Sequence, residues 1–226
     1  MLQLDSGQVR TIVAISTSLF STSTNHKLRI YAGFDSSIEI FSIHRPGTGT
    51  RILTSPHKKS KDGMKGIISS ISFSPSGTVY AAGSLSPSLG PIAIYDAGTD
   101  EVGIYLGLGD RERKAVGGGV TQVCTFSSFL PFVRDSKHIH QLQFNPAHPH
   151  ILYASFRRSP HIYAWDIRAS SGEPFAKYRF VKEGRERTMT NQKLKFDVEL
   201  GGLWLSVGNQ VRASFCVNDI YLTQIL

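Results

Sequence analysis

Four stretches of the chain repeat one plan, and that repetition restricts the fold more than any single motif does. Each starts with an apolar run closing on Phe, crosses a turn rich in Pro, Gly, Ser or Asn, and continues into further apolar runs, the last ending in an aromatic residue and often Asp. The clearest copy has residues 67–73 ending at Phe73, the turn Ser74-Pro75-Ser76-Gly77, then 79–83 and 92–96, the last closing on Tyr95-Asp96. The next has 142–144, Asn145-Pro146, 152–155, and 162–166 closing on Trp165-Asp166. An earlier copy reads Ile30-Tyr31-Ala32-Gly33 with Ile38-Glu39-Ile40-Phe41, and a fourth begins at Leu194-Lys195-Phe196 and Leu203-Trp204-Leu205-Ser206. Short β-branched and aromatic pieces bounded by turn formers are the chemistry of strands, and no stretch carries a convincing helical period. Runs such as Ile162-Tyr163-Ala164-Trp165 are apolar on both faces, as suits a strand sandwiched between neighbouring sheets. Radially stacked blades supply that environment, so the expected fold class is all-β, a WD40-type β-propeller with about four recognisable blade segments of an incomplete ring.

The spacing is regular with one exception. Taking Phe20, Phe73, Phe144 and Phe196 as equivalent, the intervals are 53, 71 and 52 residues. Removing residues 123–141 joins Gln122 to Leu142 and brings the middle interval to 52. Val123-Cys124 is encodable as the splice-donor-like GTATGT, and Gln141 is encodable as CAG. The segment reads either as a retained intron, which the restored period favours, or as a long loop between strands, which propellers tolerate. Residues 211–226 abandon the pattern where a strand ending in Trp-Asp should follow Gly208-Asn209-Gln210. The expected organisation is therefore a partial propeller over 1–210, interrupted at 123–141, followed by a non-matching tail at 211–226 of gene-model origin, with the chain stopping mid-blade.

Composition narrows the function classes. A chain of 226 residues that is 40% hydrophobic and 19% charged has enough apolar material for a core and is no disordered tail. The apolar stretch near its start, 12–15, is far short of the roughly 20 residues a membrane helix needs, and no cleavage site follows it. Cys124 and Cys216 lie far apart with no metal or redox spacing, which fits a reducing compartment. A net charge of +8 would attract a polyanion, or would simply keep a globular domain soluble.

The ordered set Tyr31-Ala32-Gly33-Phe34, Ile38-Glu39-Ile40-Phe41, Arg45-Pro46-Gly47, Gly66-Ile67-Ile68-Ser69 and Phe73-Ser74-Pro75 resembles the telomerase Cajal body protein family of WD-repeat proteins. Tyr80-Ala81-Ala82-Gly83-Ser84, Leu89-Gly90, Gly118-Gly119-Val120-Thr121, Trp165-Asp166-Ile167-Arg168 and Thr190-Asn191-Gln192 before Phe196-Asp197 extend the resemblance in the same order. Together they span roughly residues 18 to 208, and Gly63-Met64-Lys65-Gly66-Ile67-Ile68 is closer to fungal members than to animal ones. The resemblance implies a non-catalytic scaffold that binds small nuclear RNA, of the small Cajal-body or telomerase type, for ribonucleoprotein assembly or localisation. It further implies a nuclear site of action, in a Cajal body or nucleolus-like compartment. The alternative expectation is a protein–protein interaction scaffold in pre-mRNA splicing, since a distant yeast relative is linked to that process. Ribonucleoprotein or splicing proteins are the expected partners, with no membrane and no small-molecule substrate. The family's final blades have no counterpart here, which leaves a closed ring, and any site those blades would build, without support.

Candidate contacts belong in turns, because propeller ligands meet loops at a rim. Three basic clusters qualify: Lys58, Lys59 and Lys65; Arg157-Arg158; and Arg185, Arg187 with Asn191-Gln192. Guanidinium groups bind phosphates bidentately or stack on bases, and amides read base edges. The plain alternative for each is a solvated turn. Tyr95-Asp96 and Trp165-Asp166 are expected to be structural, the aromatic packing between blades and the aspartate fastening a turn. His138, His140, His148, His150 and His161 lack a completing Cys or carboxylate, so no metal site is expected. Neither a phosphate loop nor a nucleophile elbow occurs, and the expectation is no cofactor and no enzyme.

Overall fold

The computed structural model describes residues 11–17, 28–42, 44–45, 47, 49–56, 60, 62–85, 91–108, 139–156, 159, 161–169, 171–180, 196–207 and 215–217. Four antiparallel meanders follow one another along the chain. Sheet one holds β1 (Thr11–Thr17), β2 (Leu28–Phe34), β3 (Ser37–Ser42) and β4 (Gly49–Leu53). Sheet two holds β5 (Ile68–Phe73), β6 (Val79–Ser84), β7 (Ile92–Asp96) and β8 (Val102–Leu106). Sheet three holds β9 (Ile139–Phe144), β10 (Ile151–Phe156), β11 (His161–Asp166) and β12 (Ala176–Arg179), and sheet four β13 (Phe196–Val198), β14 (Leu205–Val207) and β15 (Phe215–Val217). The described residues contain no helix, and the sheets do not close a ring.

The sheets stack in chain order, and the period of two along each strand sends alternate side chains into opposite joints. Tyr80, Ala82, Ala93 and Tyr95 of sheet two meet Tyr31, Ile38 and Ile40 of sheet one. From the intervening positions, Ala81, Ile92 and Ile94 meet Leu142, Phe144, Leu152, Ala154, Tyr163 and Trp165 of sheet three. Sheet three repeats the device, sending Ile151, Tyr153, Ile162 and Ala164 against Phe196, Val198, Leu205 and Val207 of sheet four. This is why β10 is buried at all six positions, and why these strands read as continuous apolar runs. Removing a large side chain such as Trp165 from water contributes about 1.5–3 kcal/mol, so each joint is a substantial core. At Gly33 the first two sheets come so close that a Cβ would lie 2.9 Å from that of Ile68.

The first strands β1, β5, β9 and β13 contact one another in sequence and form the inner layer of the stack. The fourth strands β4, β8 and β12 lie outermost and alternate or expose their side chains. Hydrogen bonds run in parallel from β9 to β13, Gln141 Nε2 donating to Phe196 O (2.7 Å) and Gln143 Nε2 to Asp197 Oδ1 (2.8 Å), and Leu142 N donates to Ser70 Oγ (3.1 Å) across the joint with β5.

Strand register revises the fourth copy of the repeat. Phe73 pairs with Tyr80, Phe144 with Leu152, and Val198, not Phe196, with Leu205. The turns agree, with Ser74 N donating to Val79 O, Asn145 N to Ile151 O and Glu199 N to Trp204 O, at 2.9, 2.9 and 3.0 Å. The last interval is therefore 54 residues, Phe144 to Val198. Phe196 and Val198 both face sheet three, so the apolar pattern alone cannot separate them, and the turn decides. Phe20 lies outside the described residues. Two further boundaries are placed by pairing. Gln141, the last residue of the interrupting segment, pairs with Ser155 inside β9, and Phe215–Val217, within the tail, pair with β14.

Candidate functional site

Hairpin topology sorts the connections between two rims. In a four-stranded meander the links from strand one to two and from three to four leave at one end. The link from strand two to three, and the passage from strand four to the next sheet, leave at the other. Because the inner strands are aligned, each class of link gathers on one rim. Lys58, Lys59 and Lys65 belong to the β4–β5 passage, Arg157 and Arg158 to the β10–β11 link, and Arg185, Arg187, Asn191 and Gln192 to the β12–β13 passage. All three segments depart from the same rim. Of these residues only Lys65 is described, and the others lie outside the described residues.

The described part of that rim is tightly fastened. Met64 is fully buried in the joint between sheets one and two, and its N–H and carbonyl bond Thr54 O (2.8 Å) and Thr54 Oγ1 (2.7 Å). Lys65 follows, half-buried, and its carbonyl accepts a short bond from Ser84 Oγ. Leu85 N donates to Ile67 O at 2.8 Å, so the link after β6 and the passage before β5 are held together. Ser36, at φ 55°, exchanges backbone bonds with Gly66, donating at 2.9 Å to its carbonyl and accepting at 3.1 Å on Oγ. In sheet three the start of β9 lies beside the end of β10 through the Ile139–Phe156 pair, immediately before Arg157.

The aromatic–Asp pairs sit towards the other rim. Asp96 Oδ1 accepts from Gly98 N (2.8 Å) and Thr99 N (2.9 Å), and the Thr99 and Gly98 bonds hold its carboxyl below the usual range. Asp166 takes a forked bond from Arg168, Nε to Oδ1 at 2.9 Å and Nη2 to Oδ2 at 2.7 Å, which lowers its pKa in the same sense. Tyr95 stacks on Tyr80 at 5.0 Å, while Trp165 Nε1 donates to Gly107 O in sheet two at 3.1 Å. Near Tyr80, Asp100 adopts φ 60° and pairs with Arg29 at 3.4 Å, and burial still raises its pKa. His148 and His150 meet edge-on at 5.9 Å, and burial lowers the His150 pKa. Among the described residues no group of three or more His, Cys, Asp or Glu is placed to hold a metal ion.

A row of amides escaped the sequence reading. Gln141 and Gln143 of β9 and Asn145, just beyond its end, stand at alternate positions and all reach sheet four. Gln141 grips the Phe196 backbone with both ends of its amide (2.7 and 3.1 Å), Gln143 Nε2 donates to Asp197 Oδ1 (2.8 Å), and Asn145 Nδ2 donates to Gly202 O (3.0 Å). The signal was in the run Gln-Leu-Gln-Phe-Asn, where polar groups recur with the strand period of two.

Comparison with known proteins bears on what this scaffold is. Over 181 residues, 80% of the chain, it is 30% identical to telomerase Cajal body protein 1 of Homo sapiens and of Bos taurus, and 29% identical to that of Rattus norvegicus. The chain spans about a quarter of the length of these relatives, 26% of the human protein. Among solved structures it is similar to the β-propeller domain of Cps50 (Swd1) from Myceliophteria thermophila, with a TM-score of 0.53, 11% identity, and coverage of 84% of this chain and 48% of that one. At that identity the likeness concerns the fold alone. No protein-family model matches the chain.

Proposed function

The chain is a homologue of the telomerase Cajal body proteins, and on that premise we propose that it is a non-catalytic WD-repeat scaffold that binds small nuclear RNA at one rim of its propeller sheets. The observation that carries the reading is topological. The segments that carry three basic clusters far apart in sequence, around Lys65, Arg157-Arg158 and Arg185 with Arg187, start from described strand ends on the same rim. Basic groups that converge from separate loops make a phosphate-binding surface, and nearby amides and aromatic rings recognise unpaired bases. The names of the relatives support a nuclear ribonucleoprotein setting in a Cajal body or similar compartment. Crosslinking the full chain to cellular RNA tests the proposal. Changing Arg157, Arg158, Arg185 and Arg187 together to Glu should abolish RNA recovery, and unchanged recovery would remove these clusters from the RNA surface.

One observation favours a second reading, a protein-interaction scaffold such as splicing complexes employ. The turn between β13 and β14 exposes Leu200 at 85%, Leu203 at 48% and Trp204 at 41%, an apolar group at the opposite rim. Binding of spliceosomal proteins that survives Arg-to-Glu exchange and is lost in Leu200→Ser with Trp204→Ser would favour this reading over the first.

A further inference from the structure

Of the outer strands β4, β8 and β12, only β4 is left open to pairing. β8 is blunted at both ends. Its pairing with β7 jumps from Ile104 to Val102 and skips Gly103, and just beyond the strand Gly107 N donates to Gly172 O in sheet three at 2.9 Å. Such a shift twists an edge and breaks its regular ladder. β12 carries Lys177 and Arg179 within four residues, and cations on an outer strand discourage pairing with other chains. β4 has neither device. Its ladder with β3 runs unbroken from Ser37–Leu53 to Phe41–Gly49, and its charged residue, Arg51, is turned onto Glu39 of β3, with Nε donating to Oε1 at 2.8 Å.

Ladder parity decides which backbone groups of β4 are open. Thr54 N donates to Ser36 O at 3.1 Å, so Thr50, Ile52 and Thr54 turn towards β3, and Gly49, Arg51 and Leu53 turn N–H and C=O outward. The side chains of Arg51 and Leu53 stand on the face away from sheet two, since Ile52 between them packs into the joint of sheets one and two. β4 is exposed at every position except Ile52, and Leu53 is 64% exposed. The open row is about 17 Å long, a strand edge free of bulge and proline.

An extended segment fits such an edge, because antiparallel pairing exchanges both backbone bonds with each outward residue. Its side chains follow from those it meets. An apolar β-branched residue opposite Leu53 covers the exposed leucine. A carboxylate suits the position opposite Arg51, whose guanidinium has donors to spare beyond the Nε and Nη2 that face Glu39. A chain of net charge +8 also draws an acidic partner over longer range. A second copy of the same edge fits poorly, since the antiparallel register that engages all the outward residues sets Arg51 directly against its counterpart.

We propose that the open edge of β4 is a docking site for an acidic extended segment of a partner protein, which adds to sheet one as a further antiparallel strand, apolar opposite Leu53 and acidic opposite Arg51. Docking at β4 uses neither the basic rim nor RNA, and the two stand or fall separately.

Fluorescence anisotropy with the full chain and the labelled peptide Thr-Val-Thr-Glu-Thr-Val-Thr tests this. Saturable binding is expected, about tenfold weaker when Lys replaces the peptide's Glu. N-methylation of the Val and Glu amides, which face β4, should abolish binding, whereas N-methylation of the intervening Thr amides should leave it within about threefold. Arg51→Glu should reverse the preference in favour of the Lys peptide, and Leu53→Ser should weaken binding about fivefold. Circular dichroism and the urea midpoint establish that each variant is folded, and bound peptide should slow hydrogen exchange at the Arg51 and Leu53 amides. Peptide binding should persist when Arg157, Arg158, Arg185 and Arg187 are all changed to Glu, whatever happens to RNA. Absence of saturable binding, or equal loss from the two methylation patterns, overturns strand addition. Dimerisation in sedimentation velocity that Leu53→Lys abolishes would give the edge to a second copy and overturn the acidic partner. Displacement of the peptide by poly(U) would make the edge part of a general polyanion surface and overturn it equally.

Discussion

Asn145 is fully buried and uses every hydrogen-bonding position of its amide. Its Oδ1 accepts from Ala147 N and His148 N, each at 3.0 Å, and its Nδ2 donates to Tyr153 Oη (3.2 Å) and Gly202 O (3.0 Å). Asn145→Ala strands buried partners on both sides of the joint between sheets three and four, and should destabilise the protein by about 2–4 kcal/mol in urea unfolding. Asn145→Asp should be no milder, since it keeps the acceptor, loses both donors and buries a charge. Gly202 stands at φ 73°, and a Cβ there would run into Asn145 Oδ1, so Gly202→Ala should be destabilising and non-additive with Asn145→Ala in a double-mutant cycle. The aspartates at the turn after β7 give a pH signature of two signs. Asp96 has a lowered folded pKa, so its contribution is present above the unfolded value near 3.9 and is lost as pH falls through the folded one. Asp100 has a raised folded pKa, so stability is greater below the unfolded value and declines as pH rises through the folded one. Asp100→Asn tolerates the left-handed backbone and should flatten that decline in stability measured from pH 3 to 7, whereas Asp96→Asn should remove its own share of the loss on acidification and leave that of Asp166.

At the scale of elements, β9 joins a sequence argument to a contact. Removing residues 123–141 sets Val120-Thr121-Gln122 in front of Leu142, where Ile139-His140-Gln141 now stand. Both triplets put a β-branched residue, a polar residue and Gln in the same strand positions, so the shortened chain should rebuild β9 with Gln122 holding the Phe196 backbone as Gln141 does. The deletion is expected to keep the urea midpoint within error. Gln122→Ala in the shortened chain should then cost about as much as Gln141→Ala in the full one, roughly 1–2 kcal/mol. A shortened chain that loses its cooperative transition would count against the segment being an insertion, and spliced transcripts containing codons 123–141 would count against its being an intron. The same strand shows what was legible beforehand. The two-sided apolar runs of β6, β7, β10 and β11 announced sheets buried on both faces, since alternate residues along one strand fill separate joints. The outer strands β4 and β12 were not legible, because half-solvated side chains leave no continuous apolar run, and in β8 the run Val-Gly-Ile-Tyr-Leu gives no sign that most of it is exposed. The inter-sheet amides of β9 escaped for a related reason: which neighbour a polar side chain meets depends on stacking, which no local pattern encodes. The basic clusters were read from the sequence as separate turns. Their common rim follows only once the number of strands in each meander is known.

For the molecule as a whole, an open stack differs from a closed ring in that stability is shared between nearest neighbours only. Sheets two and three each lie in two apolar joints, one on either face, whereas among the described residues sheets one and four each contribute to one. Sheet four is also thin, with strands of three residues and part of its hold on sheet three supplied by the amides of Gln141, Gln143 and Asn145. Local opening should therefore begin at sheet four and reach the centre last. Hydrogen exchange followed by mass spectrometry is expected to show the slowest exchange in β6, β7, β10 and β11 and faster exchange in β13 and β14. Trp165→Ala empties the central joint, costs about 3–5 kcal/mol, and should lower protection in every sheet. Val207→Ala touches only the last joint and should accelerate exchange in β13 and β14 while leaving β6 and β7 unchanged. Uniform protection across all four sheets, or a Val207→Ala effect that spreads to β6, would mean that the stack unfolds as one cooperative unit. In that event the rim would be held rigid by the whole assembly rather than by the joint beneath each loop. The proposed RNA affinity would then track global stability. With nearest-neighbour coupling, Val207→Ala should instead weaken only the RNA contacts proposed for the passage into β13, and leave those proposed beside β10 and β11 intact.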